Sequence, residues 1–388
     1  MRLGILKEEK RGEHRVICTP NEVRSITAAG HEVLVREGCG RAAGFPDAAY
    51  AAAGAQVVCG AKEVFARCEL VAKVKEFTEE EFPLMREGQI LLGCLHPAAN
   101  PAEVNALLES GCIAFTAEDS HRYASPNCEA AGKLGALFGV ESLLTVHGGK
   151  GKYVGGLAGA PAIHALILGA GTVGRNALSV LYALGARCTV MDVRLGTLQA
   201  LMEQYGSRID TALCSKEAIA ALLPCVDLVL NCVRWPKERT DFLIDADMLR
   251  LMEAGSVLVD VSGDRPGAIQ TARDTHLDAP RYVVNGVVHY CVANIPGAAA
   301  RSASEAYGAA MLPMLLSLLG DGVVECCVKN GFYRRSLTAY RGLLTHEETS
   351  AVQGRPWMPP ERALGITRRA LDPAPPATVT RSTLFYEP

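Results

Sequence analysis

The stretch A-L-I-L-G-A-G-T-V-G-R-N-A-L-S-V-L-Y-A-L-G-A-R-C-T-V-M-D, residues 165–192, decides how the chain is built. Ala165 to Leu168 form a short apolar run of the kind that makes a strand buried on both faces. Gly169, Gly171 and Gly174 follow in G-x-G-x-x-G spacing, with Ala170, Thr172 and Val173 between them. Asn176 to Leu184 carry apolar residues at helical spacing, and Gly185 stands where a helix stops. A second apolar run, Cys188 to Met191, ends on Asp192, about 20 residues after the first glycine. Strand, glycine turn, helix, strand and acid together make the dinucleotide-binding fingerprint.

Each part has a physical role. Gly169 permits a tight turn, Gly171 lets a pyrophosphate approach the backbone, and Gly174 lets helix and strand pack closely. The helix start offers unpaired N–H groups and the positive end of its dipole to phosphate. Asp192 is placed to accept hydrogen bonds from an adenosine ribose, which points to NAD as the cofactor.

Working outward, residues 1–126 read as a first α/β unit. Short strands are predicted at 2–6, 32–36, 55–58, 70–74, 89–93 and 114–117, with helical patterns at 20–29, 62–67, 79–86 and 101–110. Such alternation implies a parallel sheet covered by helices. Residues 127–145 read as one long helix leading into G-G-K-G-K-Y-V-G-G-L-A-G-A-P, which reads as a crossing between domains. The nucleotide-binding unit continues with strands at 227–232, 256–261 and 282–288. A long apolar helix, 302–319, follows, and the segment after Ile366 reads as an extended tail.

With 388 residues, two domains are expected, and the net charge of −3 gives no nucleic-acid footprint. The charged start M-R-L-G-I-L-K-E-E-K-R is unlike a signal peptide, and no apolar run reaches membrane-helix length. Most of the fourteen cysteines, including Cys59, Cys94, Cys188, Cys225, Cys232 and Cys291, lie in apolar runs and are expected to be buried thiols. No C-x-x-C spacing occurs, so no metal site is expected, and the setting read from the thiols is a reducing cytoplasm.

Separated motifs, in the right order along the chain, carry a family likeness. G-I-L-K-E-E-K-R-G-E-H-R-V-I-C-T-P at 4–20, A-K-V-K-E around Lys75 and L-H-P-A-A around His96 lie in the first unit. The glycine turn, V-D-V-S-G-D-R-P-G-A-I-Q-T at 259–271 and G-V-V-H-Y-C-V-A-N-I-P-G-A at 286–298 lie in the second, and L-T-A-Y-R-G-L-L-T at 337–345 follows. Together they resemble the alanine dehydrogenase and transhydrogenase family, over about residues 1–366.

The resemblance implies an α/β protein of two Rossmann-like domains with parallel sheets and a catalytic cleft between them. Its implied division is 1–126 and 300–366 for substrate, 127–299 for NAD, and 367–388 as a tail. The implied reaction is reversible NAD-dependent oxidation of L-alanine, or a similar small L-amino acid, to a 2-oxoacid and ammonium. Another amino-acid oxidoreductase of the family, such as an N-(carboxyalkyl) amino-acid synthase, and a non-catalytic NAD-binding protein are the alternatives. The family commonly assembles as homo-oligomers; a hexamer or a dimer is expected.

The resemblance also assigns residues. Arg15 would anchor the substrate carboxylate, although read alone it is one of several surface cations in E-E-K-R-G-E-H-R. Lys75 would lie near that carboxylate and the carbonyl oxygen. His96 would exchange the proton at the oxygen, and Asp264 would orient water or ammonia. Val233, Asn294 and Ile295 join the glycine turn and Asp192 as expected cofactor contacts. Departures from the family pattern fall at Asn127 and Cys128 in P-N-C-E-A-A-G-K, and at Arg234 and Trp235 in N-C-V-R-W-P-K. These bear on the side chain the enzyme prefers.

Overall fold

The computed structural model describes residues 1–123, 125–236, 239–263 and 267–375. The chain forms two compact units: Met1–Pro126 with a returning segment from Ala299, and Asn127–Ala298.

The first unit has an eight-stranded sheet. Its strands are β1 (Arg2–Ile5), β2 (Glu32–Arg36), β3 (Gln56–Val58), β4 (Leu70–Ala72), β5 (Ile90–Gly93) and β6 (Ile113–Thr116). These six run parallel, in the spatial order β6-β5-β4-β1-β2-β3. The chain passes from β1 to β2 and β3 on one side, then to β4, β5 and β6 on the other. The sheet therefore reverses its winding between β1 and β4. Alternate residues feed opposite faces: Leu3, Ile5, Leu70, Ala72, Ile90 and Leu92 enter one core, and Val71, Leu91 and Ala114 enter the other.

The second unit has a seven-stranded sheet. It contains β7 (His164–Leu168), β8 (Arg187–Asp192), β9 (Asp210–Leu213), β10 (Leu228–Asn231), β11 (Val257–Asp260), β12 (Arg281–Val284) and β13 (Val287–Tyr290). The order is β12-β13-β11-β10-β7-β8-β9, all parallel except β12. Its winding reverses between β7 and β10. Ala165 and Ile167 face one core, Leu166 and Leu168 the other. The central strands of both sheets are thus buried on two faces, which explains the unbroken apolar runs in the sequence.

Four expectations change. The single strand read at 282–288 is a hairpin, because Asn285 and Gly286 both take positive φ (50° and 81°), the geometry of a two-residue hairpin turn. The glycine-rich stretch after Gly148 is no crossing between domains. It lies within the second unit, where Lys150 and Lys152 both pair with Asp227, at 2.6 and 2.8 Å, ahead of β10. The helical pattern at 79–86 yields only a short 3₁₀ turn, Phe82–Leu84, since Pro83 cannot continue a ladder. Cys59, just past β3, and Cys225, the last residue of a 3₁₀ turn, are exposed, although Cys94, Cys188 and Cys291 are buried as expected and all fourteen cysteines are free thiols.

The returning helix Ala300–Gly320 packs into the first unit's core through Tyr307, Met311, Met314, Leu315 and Leu318. A Cβ on Gly308 would lie 2.6 Å from Glu22 Oε2, so only glycine lets the helix approach there. Glu22 belongs to the capping box of the helix Pro20–Ala28, in which Thr19 is the cap. The chain then adds β14 (Leu337–Tyr340), antiparallel to β6, and β15 (Leu343–Leu344) through an Arg341-Gly342 turn. The tail is tied down as far as residue 375: Arg334 donates to the Asp372 carbonyl at 2.9 Å and Arg335 to that of Pro375 at 3.0 Å. No helix among the described residues is long and apolar enough to cross a membrane.

Candidate active site

In the first unit, chemistry-bearing side chains collect where neighbouring parallel strands end. Glu8, Glu13 and Arg15 follow β1, Lys73, Lys75 and Glu76 follow β4, Cys94 and His96 follow β5, and Glu118 follows β6. Carboxyl ends of strands beside a reversal in winding are where open α/β sheets bind ligands.

Arg15 is only 2% exposed, so the surface reading of this cation is wrong. Glu13 accounts for its burial. The guanidinium donates from Nε to Glu13 Oε1 at 2.8 Å and from a terminal nitrogen to Oε2 at 2.5 Å. Burial pushes the Glu13 carboxyl up, but the Arg15 charge and hydrogen bonds, with Lys75, outweigh it and hold the group below the usual carboxylate range. The returning helix braces the loop, as Val16 N–H donates to Ser304 Oγ at 3.0 Å.

Lys73 and Lys75 lie beyond the end of β4 and go to different places. Lys73 is fully buried, 3.0 Å from Glu81 and 4.0 Å from Glu8. Glu8 Oε1 accepts the main-chain N–H groups of Val74 and Lys75 and so fixes the approach to Lys75. Its Oε2 is buried and, among the described residues, has no hydrogen-bond partner. Burial pushes the Glu8 carboxyl up to about 7, against the pull of the Lys73 charge. Lys75 itself is half-buried, in the field of Glu13 and Glu76.

His96 follows β5 with its ring Nδ1 2.9 Å from Glu76 Oε1, and Lys10 reaches Glu76 from the solvent side at 3.2 Å. The buried Cys94 thiol, two residues before His96, lies 3.2 Å from the Tyr307 hydroxyl. Burial, with the Glu118 charge, pushes that thiol up to about 12, so it is a packing group and no nucleophile. The glutamates went unnoticed in the sequence because K-E-E-K-R-G-E-H-R has the composition of a solvated turn. Glu76, adjacent to Lys75 in A-K-V-K-E, was the one available signal.

The second unit's glycine turn follows β7. Gly169 has φ +88°, which favours glycine. A Cβ on Gly174 would lie 1.8 Å from the Gly169 carbonyl oxygen, so helix and turn are in direct contact. A Cβ on Gly171 would meet nothing within 4 Å. That open space ahead of the helix Thr172–Ala183 is what a pyrophosphate needs, so these residues fit a dinucleotide. Asp192 is engaged in the turn itself: Oδ2 accepts from Ala170 N–H at 2.8 Å, and Oδ1 from Arg194 N–H at 2.9 Å. Thr172 and Val173 open the helix, half-buried, and the half-buried Val233 follows β10, its Cγ2 3.1 Å from where a Gly169 Cβ would stand. Asn294 and Ile295 are buried after β13. Asp264 lies outside the described residues.

Both units match one family in full-length order. Residues 4–127 match the alanine dehydrogenase/PNT N-terminal domain and residues 135–347 the corresponding C-terminal domain. The chain belongs to the alanine dehydrogenase/PNT family. It is 36% identical to the alanine dehydrogenase of Methanococcus maripaludis, over 94% of this chain and all of that protein. It is 35% identical to that of Bacillus subtilis, over 94% of this chain and 98% of the other. A solved L-alanine dehydrogenase superposes with a TM-score of 0.84 at 34% identity, covering 91% of this chain and 99% of that one. A transhydrogenase from Sinorhizobium meliloti, at 23% identity and a TM-score of 0.72, shares the fold.

The departures from the family pattern have structural places. Asn127 and Cys128 are half-buried in the first turn of the helix Pro126–Ser142. Trp235 is buried, with the Arg239 guanidinium 4.1 Å from its ring centre, while Arg234 is exposed. No group of three or more metal-ligating side chains is gathered among the described residues.

Proposed function

We propose that this protein is an alanine dehydrogenase that oxidises L-alanine to pyruvate and ammonium with NAD, reversibly. The observation that carries the reading is the likeness to alanine dehydrogenases along nearly the whole of both chains. The burial of Arg15 beside Glu13 supports it, since an interior guanidinium at the end of a sheet is suited to a carboxylate. The comparisons favour neither the amine-condensing alternative nor a non-catalytic dinucleotide binder.

The residues have distinct tasks. Arg15 holds the substrate carboxylate, and Lys75 steadies negative charge on the reacting oxygen. His96 holds and moves the proton at that oxygen, and Asp264 orients water or ammonia. Residues 169–174, with Asp192, Val233, Asn294 and Ile295, hold the dinucleotide. NAD held there would supply the acceptor for the hydride leaving the amino acid's α-carbon, with hydrolysis by water then giving oxoacid and ammonium. The Asp192 carboxylate favours a free ribose hydroxyl over a 2′-phosphate, hence NAD over NADP. The working form in this reading is a cytoplasmic homo-oligomer.

The test is NADH formation by the purified protein against a panel of small L-amino acids. Alanine is expected to give the highest kcat/KM. A clear preference for another amino acid would replace the substrate, and no NADH formation with any would overturn the reading.

A further inference from the structure

His96 is held in an uncommon conformation. Its backbone lies in the left-handed region, at φ 44°, directly before Pro97, and a following proline biases a residue toward extended backbone. Such conformations persist where the surroundings over-determine them. Here the His96 N–H donates to Glu118 Oε1 at 2.8 Å, and Asn100 Nδ2 donates to the carbonyls of Leu95 at 2.8 Å and His96 at 3.2 Å. The ring is fixed separately, by the 2.9 Å contact between Nδ1 and Glu76.

Glu76 is itself firmly placed. Its side chain is 19% exposed against 44% for His96. Burial raises its carboxyl, but the His96 hydrogen bond and the charges of Lys75, His96 and Lys10 outweigh that and hold it well below the usual carboxylate range. Glu118 on the His96 main chain and the buried Glu103 are the other charged groups facing this pair. An ionised carboxylate only accepts hydrogen bonds, so Nδ1 carries the proton shared with Glu76, and in the neutral form of the ring Nε2 is left with the lone pair.

We propose that Glu76 is the positioning residue of the His96 acid–base group. It sets the ring's orientation and tautomer, so that Nε2 is the atom that exchanges a proton with the substrate oxygen. This rests on His96 acting as the acid–base group in the proposed reaction. Glu76 touches no substrate and acts through the imidazole alone. Lys10 and Lys75 keep it charged, and Glu118 and Asn100 keep the backbone from relaxing.

The experiment compares full-length wild type with Glu76→Gln, Glu76→Asp, His96→Asn and the double variant His96→Asn/Glu76→Gln. Glutamine keeps the shape of Glu76, but its amide can accept from Nδ1 or donate to it, so the tautomer is no longer specified. Glu76→Gln should lower kcat with alanine at least about tenfold, within the ~10²–10⁴-fold span of losing the acid–base group itself. KM should change little, and Glu76→Asp should recover part of the loss. Adding Glu76→Gln to His96→Asn should cost nothing further, whereas a structural role would multiply the two losses. Nitrogen spectra of isotope-labelled histidine, read at alkaline pH without substrate, give the tautomer directly, with His96 signals identified by their absence in His96→Asn. Wild type should show the proton on Nδ1, and Glu76→Gln a mixture. An unchanged tautomer with unchanged kcat in Glu76→Gln, or multiplied losses in the double variant, would overturn the proposal. An inactive wild type with the expected tautomer would instead sink the activity reading and leave the Glu76–His96 coupling standing.

Discussion

The two sheets reverse their winding in the same way, yet the loops at the two reversal points are chemically opposite. Between β1 and β4 the first unit gathers Glu8, Glu13, Arg15, Lys73 and Lys75, a set of ionisable side chains, mostly buried, with Arg15 paired to Glu13 and Lys73 to Glu81. Between β7 and β10 the second unit offers bare backbone, with a positive-φ glycine, an open approach at Gly171 and a contact at Gly174 too close for any side chain. Both arrangements suit anions. A guanidinium recognises one carboxylate in one orientation, because its donors form a fork. Main-chain N–H groups at a helix start follow the path of a pyrophosphate and carry no desolvated charge when empty. In the proposed function, the first solution would give directional hold on a small reacting acid, and the second a general cradle for a large cofactor.

The difference predicts different failures. In the second unit, geometry should be unforgiving. Gly174→Ala places a Cβ against a main-chain oxygen that cannot move without moving the turn. We expect destabilisation of at least about 3 kcal/mol and loss of dinucleotide binding, read by chemical denaturation and NADH titration. A stable, NADH-binding Gly174→Ala protein would refute the close-packed turn.

In the first unit, charge alone should not suffice. Arg15→Lys keeps the cation but loses the two-donor fork to Glu13 and, in the proposed function, to the substrate carboxylate. A charged hydrogen bond contributes about 1.5–3 kcal/mol, so kcat/KM for the amino acid should fall at least about tenfold. Unchanged kinetics would return Arg15 to a purely structural place.

A smaller effect concerns protons. Glu8 holds a proton up to about pH 7 in the folded protein but only to about 4.5 in the unfolded chain. The folded state therefore binds more protons across that window, and Glu8's contribution to stability, complete at lower pH, is lost as pH rises through it. The slope is at most about 1.4 kcal/mol per pH unit. Glu8→Gln, neutral throughout, should flatten the fall in stability between about pH 4.5 and 7, measured by denaturation at both ends. An identical pH dependence in both proteins would show that Glu8 is ionised in the fold.

The two regions were also unequally legible. The second unit's site could be read because its signals are local: three glycines, a strand, a helix and an acid within 165–192. The first unit's site is assembled from four loops far apart in sequence, and its pairs cross between them, Glu76 with His96 and Glu8 with the main chain at Val74. Composition gives no sign that Glu13 will bury Arg15 two residues later. Most strands were readable because both faces are buried. The β12–β13 hairpin was not, because its two short apolar runs are separated only by Asn285-Gly286 and read as one strand, although that dipeptide carries a turn signal. Without the family likeness, Arg15 and His96 would have stayed anonymous.

The most direct test of the division of labour is the NADH dissociation constant of two variants. Gly171→Ala places a methyl in open space, so the fold should change by less than about 1 kcal/mol, while the pyrophosphate approach is blocked. Arg15→Lys leaves the glycine turn untouched. NADH is expected to bind at least about tenfold more weakly to Gly171→Ala, a loss of about 1.4 kcal/mol, and with wild-type affinity to Arg15→Lys. Wild-type NADH affinity in Gly171→Ala, or an equal loss in Arg15→Lys, would contradict that division.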